Sequence, residues 1–330
     1  MPTSLLTSDF DYELPDELIA SRPLERRDAS RMMVIDRAKG TIEHRNFAEF
    51  PHFVDEKLLV LNNTRVARAR YFSNDGRVEL LRLQALDELL WNCFVKPGKR
   101  MRLGDQIQIG EATGTVEAIN DGDGSRVIRF DQPVDSNRHG HLPLPHYMKR
   151  EDDQSDDERY QTVFADSSKE RAIAAPTAGL HFTPEILSKL DHTFITLDVG
   201  VGTFQPVRAE RLDEHVMHVE SFEISEAAAQ KIDAAPQVLA VGTTVTRVLE
   251  HSMQMHGKIV PGAGETGIFL HPGCSFRRVN SLLTNFHLPK STLFMLVCAF
   301  AGTELMKEAY RIAVAERYRF FSYGDCMLLL

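Results

Sequence analysis

The sequence is poor in cysteine, has no excess of positive charge and has no apolar run long enough to cross a bilayer. Its four cysteines, Cys93, Cys274, Cys298 and Cys326, show no C-x-x-C spacing, which argues against a structural zinc site and a disulfide framework alike. Reduced thiols fit the cytoplasm. Lysine plus arginine number 38 against 47 for aspartate plus glutamate, a formal charge of −9. Binding of nucleic acid by bulk charge is thereby excluded, and only a local basic patch would serve. The longest apolar stretch of interest, Leu293 to Ala301, has nine residues, whereas a membrane helix needs about 20. Met1 to Glu17 carry neither a basic segment nor an apolar core, so no signal peptide is expected. A soluble protein away from membranes follows.

What is present suits two domains. The 330 residues are 43% hydrophobic and 26% charged, enough to bury a core and too apolar for disorder. "SRMMVIDRAKGTIEHRNF" (30–47) predicts two strands around a Lys-Gly turn, and "KLLVLNNT" (57–64) a buried strand. The next ninety residues hold short strand-like runs, among them "GRVELLRLQ", "LLWNCFVKP", "DQIQIG", "GTVEAI" and "SRVIRFD", which suggest a small barrel. The acidic "EDDQSDDE" (151–158) reads as a solvated linker, with Ser155 and Glu158 at capping-box spacing for a helix through Tyr160 to Phe164. Strand and helix patterns then alternate. "TPEILSKL", "SEAAAQKID", "TTVTRVLEHSMQ", "STLFMLVCAF" and "TELMKEAYRIAVAERY" are helical; "TFITLDVG", "VLAVG", "TGIFL" and "CMLLL" are strands. The expected fold class is α/β: a larger α/β domain with a mostly parallel or mixed sheet, plus an inserted small β-barrel domain. The boundaries are set at 1–66 and 153–330 for the α/β domain, whose second part holds most of the active site, and 67–152 for the barrel.

Four segments carry residues suited to chemistry. In "AAPTAGLHFTPE" (174–185) Thr177, His181 and Thr183 project polar groups beside Phe182, although a strand end and helix cap with a structural histidine explains it as well. In "DVGVGTFQPVRAERLDEHVMHVE" (198–220) Gly200 and Gly202 allow a ligand close to the backbone. There His218 and Glu220 share a face in extended chain, with His215 nearby. These three could hold a metal or act as a metal-free acid/base set. "AVGTTVTRVLE" (240–250) places a glycine turn before a helix, either an anion site or plain capping by Thr243 or Thr244. "TNFHLPKSTLFMLVCAF" (284–300) sets Asn285, Phe286, His287 and Lys290 in a loop before an apolar helix. Basic residues cluster at Arg22, Arg26, Arg27 and Arg31; at Arg65, Arg68 and Arg70; at Lys96, Lys99, Arg100 and Arg102; and at Arg277 and Arg278. If they converge, they could grip phosphates.

Taken together, "FDYELPDELIASRPLERRDASRMMVIDR", "LLVLNNTRVARAR", "RYQTVFA", "AAPTAGLHFT", "VGTFQPVR", "HVMHVE", "AVGTT", "LLTNFHLPKSTLFMLVCAFAG" and "YRFFSYGD" resemble the S-adenosylmethionine:tRNA ribosyltransferase-isomerase family of queuosine biosynthesis, in the family's order from about Phe10 to Asp325. The resemblance implies a cytoplasmic, metal-independent transferase with no resident cofactor. It consumes S-adenosylmethionine, moves its ribose onto the aminomethyl group of a 7-deazaguanine at the tRNA wobble position, and isomerises it to epoxyqueuosine as adenine and methionine leave. Asp198 stands where the family pattern has a histidine. The acid/base pool is then His181, His215, His218, Glu220, His287 and Asp198. Substrate-binding candidates are Thr177, Gly179, Phe182, Gly200, Gly202, Thr203, Phe204, Thr243, Asn285 and Phe286. Arg22, Arg26, Arg65, Arg68, Arg277 and Lys290 are the expected tRNA contacts, and the protein is expected to work as a monomer on the anticodon loop. The competing readings are a non-catalytic tRNA-binding protein and an S-adenosylmethionine-dependent RNA methyltransferase.

Overall fold

The computed structural model describes residues 5–54, 56–200, 207 and 209–330. In chain order it forms β1 (Arg31–Asp36), β2 (Thr41–Asn46), β3 (Leu58–Asn62), β4 (Arg65–Val66), β5 (Arg70–Phe72), β6 (Glu79–Ala85), β7 (Leu90–Lys96), β8 (Gln106–Ile109), β9 (Ala112–Ile119) and β10 (Arg126–Phe130). Two short helices follow, α1 (Ser136–His139) and α2 (Asp156–Arg159), then β11 (Glu170–Ala172), α3 (Pro184–Leu187), β12 (His192–Leu197), β13 (Glu220–Ile224), α4 (Glu226–Ala234), β14 (Val238–Val241) and α5 (Thr243–His256). The chain continues with β15 (Gly262–Thr266), β16 (Ser281–Asn285), α6 (Thr292–Ala301), α7 (Thr303–Ala315) and β17 (Cys326–Leu329).

The apolar runs become strands because both of their faces are covered. In β3, Leu58 and Val60 enter one core while Leu59 and Leu61 enter another. β1, β14, β16 and β17 divide their side chains in the same way, as a sheet sandwiched between layers requires. Helices α4 to α7 supply residues to the first core; Phe47, Phe50, Phe182 and α3 supply the second. The sheet has nine strands in the order β15-β13-β12-β3-β14-β16-β17-β1-β2. It is mixed: β12/β3, β3/β14, β14/β16 and β17/β1 are parallel, the other four pairings antiparallel. As a result β12, β3, β14 and β16 end along one edge, and β17 and β1 begin there. Such an edge is where an open α/β sheet offers a crevice.

The barrel-like sheet lies between β4 and β11. Its antiparallel order is β5-β6-β7-β10-β9-β8, and Asn74 nearly closes it by donating its backbone N–H to Gln108 (2.9 Å) and its Nδ2 to Gly110 (2.8 Å). Trp91, Tyr71, Leu80, Ile107, Val116 and Phe130 fill the interior. Gly114 is required there, since a Cβ would stand 2.7 Å from Phe130. The chain returns beside its point of departure, where Arg70 and His141 exchange backbone bonds of 3.1 and 2.8 Å.

Three expectations change. "EDDQSDDE" is no plain solvated linker: Asp156 is fully buried, accepts two bonds from Arg150 (2.6 and 2.7 Å) and one from the Tyr323 hydroxyl (2.7 Å), and Asp152 faces His141 at 3.0 Å. Ser155 caps nothing, because its hydroxyl turns to Asp153 (2.5 Å), and the helix ends at Arg159. The strand expected at "TGIFL" lies earlier, at Gly262–Thr266, so only Thr266 of that run belongs to it. Among the described residues no helix is long and apolar enough to cross a membrane.

Candidate active site

The strand ends at the sheet edge open into a cleft of about 690 Å3, counted out to its mouth. Thr177 follows the β11 connection, Thr243 opens α5 directly after β14, and Asn285, Phe286 and His287 leave β16; all five line the cleft. Gly242 makes the turn into α5 with φ +96°, which a side chain would strain. It occupies the N-cap, and no side chain caps that helix. Capping by Thr243 or Thr244 is therefore not what this segment does. The first amides of the 14-residue helix lack intrahelical partners and stand beside the cleft, an arrangement that favours an anion.

Asn285 fixes the protonation of its neighbour. Its Nδ2 donates to the carbonyl of Phe321 (2.8 Å), so its Oδ1 faces His181 Nε2 at 3.3 Å. That nitrogen must carry the proton, and Nδ1 then accepts from the Ser30 hydroxyl at 2.7 Å. Burial lowers the His181 pKa to about 4, although the Asn285 bond opposes the shift. In this structure neither ring nitrogen of His181 is left without a partner, and its Nε2 contact helps to orient Asn285. His287 differs. Thr284 Oγ1 meets its Nε2 at 2.9 Å, Nδ1 has no hydrogen bond among the described residues, and burial lowers its pKa to about 3. A neutral imidazole with an unengaged nitrogen thus borders the cleft.

The aromatic expectations need correction. Phe182 is fully buried among Phe47 and Phe50, with ring centres 5.1 and 5.4 Å away, so it has no face for a ligand. Phe286 borders the cleft but its ring packs on Tyr310 and Phe320. The aromatic wall is instead Tyr147 against Phe321, with centres 4.6 Å apart, and both line the cleft. The sequence signal for Phe321 lay in "YRFFSYGD"; nothing local distinguished Tyr147. Gly179 also has a packing role: its Cβ would sit 2.7 Å from Phe164.

Val199 lines the cleft, whereas Asp198, Gly200, His215, His218 and Glu220 are not among its described lining residues. Glu220 is buried, forms an ion pair with Arg247 of α5, and accepts the Gly200 amide at 3.3 Å. It is an anchor for Gly200. His218 is exposed whereas Glu220 is buried. His215 is half-buried against Phe269, at 5.3 Å, and desolvation followed by the neighbouring His218 lowers its pKa. Asp198 accepts from Thr64 at 3.3 Å; burial raises its pKa and Arg171 opposes that rise. Gly202, Thr203 and Phe204 lie outside the described residues. Among the described residues no three His, Cys, Asp or Glu side chains gather as metal ligands.

Most of the expected phosphate contacts are already paired. Arg22 meets Asp153 at 2.5 Å, Arg26 meets Asp28 at 2.9 Å, Arg65 meets Glu170 at 3.4 Å, Arg68 meets Asp157, and Lys290 meets Asp11 at 2.6 Å. Arg277 is anchored through its backbone to Glu250, two turns along α5 from the cleft. None of the six is among the residues that line the cleft.

A family model described as "Queuosine biosynthesis protein" matches residues 7–329. Among curated relatives, a protein of Geobacter metallireducens named S-adenosylmethionine:tRNA ribosyltransferase-isomerase is 48% identical, covering 97% of this chain and 98% of the relative. One of the same name from Symbiobacterium thermophilum is also 48% identical, over 98% and 99%. The crystal structure of S-adenosylmethionine tRNA ribosyltransferase from Thermotoga maritima superposes with a TM-score of 0.56 at 35% identity, covering 98% of this chain and all of that one. With nearly its whole length matched and the cleft residues placed on one edge of the sheet, the chain belongs to the queuosine biosynthesis protein family.

Proposed function

We propose that the protein transfers and isomerises the ribosyl group of S-adenosylmethionine onto 7-aminomethyl-7-deazaguanine at the tRNA wobble position, giving epoxyqueuosine-tRNA, adenine and methionine. The observation that carries this reading is the meeting of Thr177, Thr243, Asn285 and His287 on one cleft beside the α5 N-terminus. A sulfonium makes methionine a leaving group and acidifies the adjoining 5′-carbon, so the reaction needs a proton acceptor, an anion cradle and a cation-tolerant wall. His287 Nδ1 is the acceptor, in the tautomer whose Nε2–H donates to Thr284 Oγ1. The α5 amides with Thr243 hold the methionine carboxylate, and Thr177 and Asn285 hold ribose hydroxyls. Tyr147 and Phe321 face the sulfonium, a contact worth about 0.5–2 kcal/mol. General base catalysis supplies roughly 10²–10⁴-fold, so holding both substrates in register carries much of the rest. S-adenosylmethionine is a co-substrate in this scheme and no resident cofactor takes part. The protein acts as a monomer in the cytoplasm, where its substrate tRNA is found.

One assay tests the reading. Incubation with labelled S-adenosylmethionine and tRNA carrying the modified base should release free adenine. S-adenosylhomocysteine would show methyl transfer instead, and neither product would reduce the protein to a tRNA binder.

A further inference from the structure

A second cavity, of about 1470 Å3 counted out to its mouth against about 690 Å3 for the cleft, lies between the barrel and the α/β body. One wall is the outer face of the barrel. Because side chains alternate along a strand, the face that turns Leu80 and Cys93 inward leaves Leu81 and Phe94, a cross-strand pair, outside. Pro143, Leu144 and Pro145 line it as well. Arg70 and Glu79, joined by bonds of 2.8 and 3.2 Å, add donors and acceptors to this otherwise largely apolar lining.

Two further observations select the occupant. Of the four cations on the border of this groove, Arg70 pairs with Glu79, Lys149 with Asp16 at 2.7 Å and Arg150 with Asp156, which leaves Lys96 as the border cation with no ion pair among the described residues. The groove also shares a partition with the reaction cleft. Pro145 and His146 line the groove while Tyr147 lines the cleft; Ile173 lines the groove while Ala175 lines the cleft. Two residues of chain span at most about 7 Å.

We propose that this groove takes an unstacked nucleobase of the tRNA, from the nucleotide next to the one that reacts. The proposal rests on the reaction assigned above. Phe94 and the prolines sandwich the ring, Arg70 and Glu79 meet its edge, and Lys96 meets the connecting phosphates. RNA loops are read in this manner, with splayed bases stacked on aromatic and apolar side chains. The target base and its neighbour then straddle the Tyr147 partition, which fixes which nucleotide enters the cleft.

The test is binding of an anticodon stem-loop RNA, and of two derivatives with an abasic sugar immediately 5′ or 3′ of the target. One derivative should bind about 5- to 100-fold more weakly than the intact RNA. Phe94→Ala should weaken the intact RNA by a similar factor and abolish the difference between the RNAs; Lys96→Glu, on the exposed end of β7, should weaken all of them. Equal binding of the three RNAs to the natural protein, or a difference that survives Phe94→Ala, overturns the proposal. So does a dimer in solution that Phe94→Ala dissociates, since the groove would then seat a second copy. Adenine release, followed on the same samples, reports separately on the reaction: intact release with no abasic effect removes the groove alone, and an abasic effect without release removes the reaction alone.

Discussion

At the scale of single residues, Asn285 shows how a side chain with no chemistry of its own decides that of another. Its amide orientation sets the His181 tautomer, while Thr284 engages only one nitrogen of the cleft imidazole, His287. Replacing His287 with Ala should lower kcat by about 10²- to 10⁴-fold while a thermal melt stays cooperative; an unchanged kcat would move the base elsewhere. Both buried imidazoles also tie stability to pH. In the fold they titrate near 4 and 3, against 6.5 when exposed, so the unfolded chain binds more protons throughout that interval. Stability is complete above pH ~6.5 and falls on acidification toward pH ~4, by about 1.4 kcal/mol per unit for each histidine. Urea midpoints measured from pH 7 to 5 should show this slope, and His287→Asn should flatten it. The residue types in "TAGLH" and "TNFH" were legible as candidates from sequence. Which histidine is locked and which is open was not, because the lock is made by Ser30, which lies 151 positions before His181.

Elements were legible where one local pattern sufficed. Continuous apolar runs gave β1, β3, β14 and β17, and Thr183 before Pro184 does cap α3, accepting from Ile186 at 3.3 Å. Ser291 caps α6 in the same way, accepting from Phe294 at 3.2 Å. Ser291→Ala should cost about 1 kcal/mol in denaturant unfolding and Ser291→Thr much less; equal losses would point to the lining of the cleft and not to the cap. Reading failed where a distant ring chose the residue. β15 is "GAGET", poor in strand formers, and its Gly264 lies under Phe222 of β13, where a Cβ would come within 2.7 Å of the ring. No window along the sequence contains that reason. Ser155 failed for the opposite cause, a nearer acceptor: Asp153 takes its hydroxyl before any helix amide can.

For the whole molecule, the α/β body, the barrel and their order were visible from the change in element spacing. The joint between them was not. The acidic run was expected to face water, whereas Asp156 is buried and links Arg150, beside the barrel return, to Tyr323, just before β17. Burial alone would raise the Asp156 pKa, but Arg150 and its other donors outweigh it and hold the carboxyl below its usual range. Asp156→Ala leaves Arg150 charged and largely desolvated, and should cost about 3–5 kcal/mol. Tyr323→Phe removes one hydrogen bond and should cost about 1 kcal/mol. A variant Asp156→Ala as stable as the parent would show that the joint is held by packing.

The bonds between Arg70 and His141 have a kinetic consequence. β3 and β12 pair in parallel across about 130 residues, a separation that makes nucleation slow. Once the barrel has folded on itself, those two residues touch and the loop to be closed shrinks to about 60, a saving of roughly 0.7 kcal/mol in chain entropy. The inserted module thus serves as a clamp that shortens the search for its host, and refolding should proceed from the middle of the gene product outward.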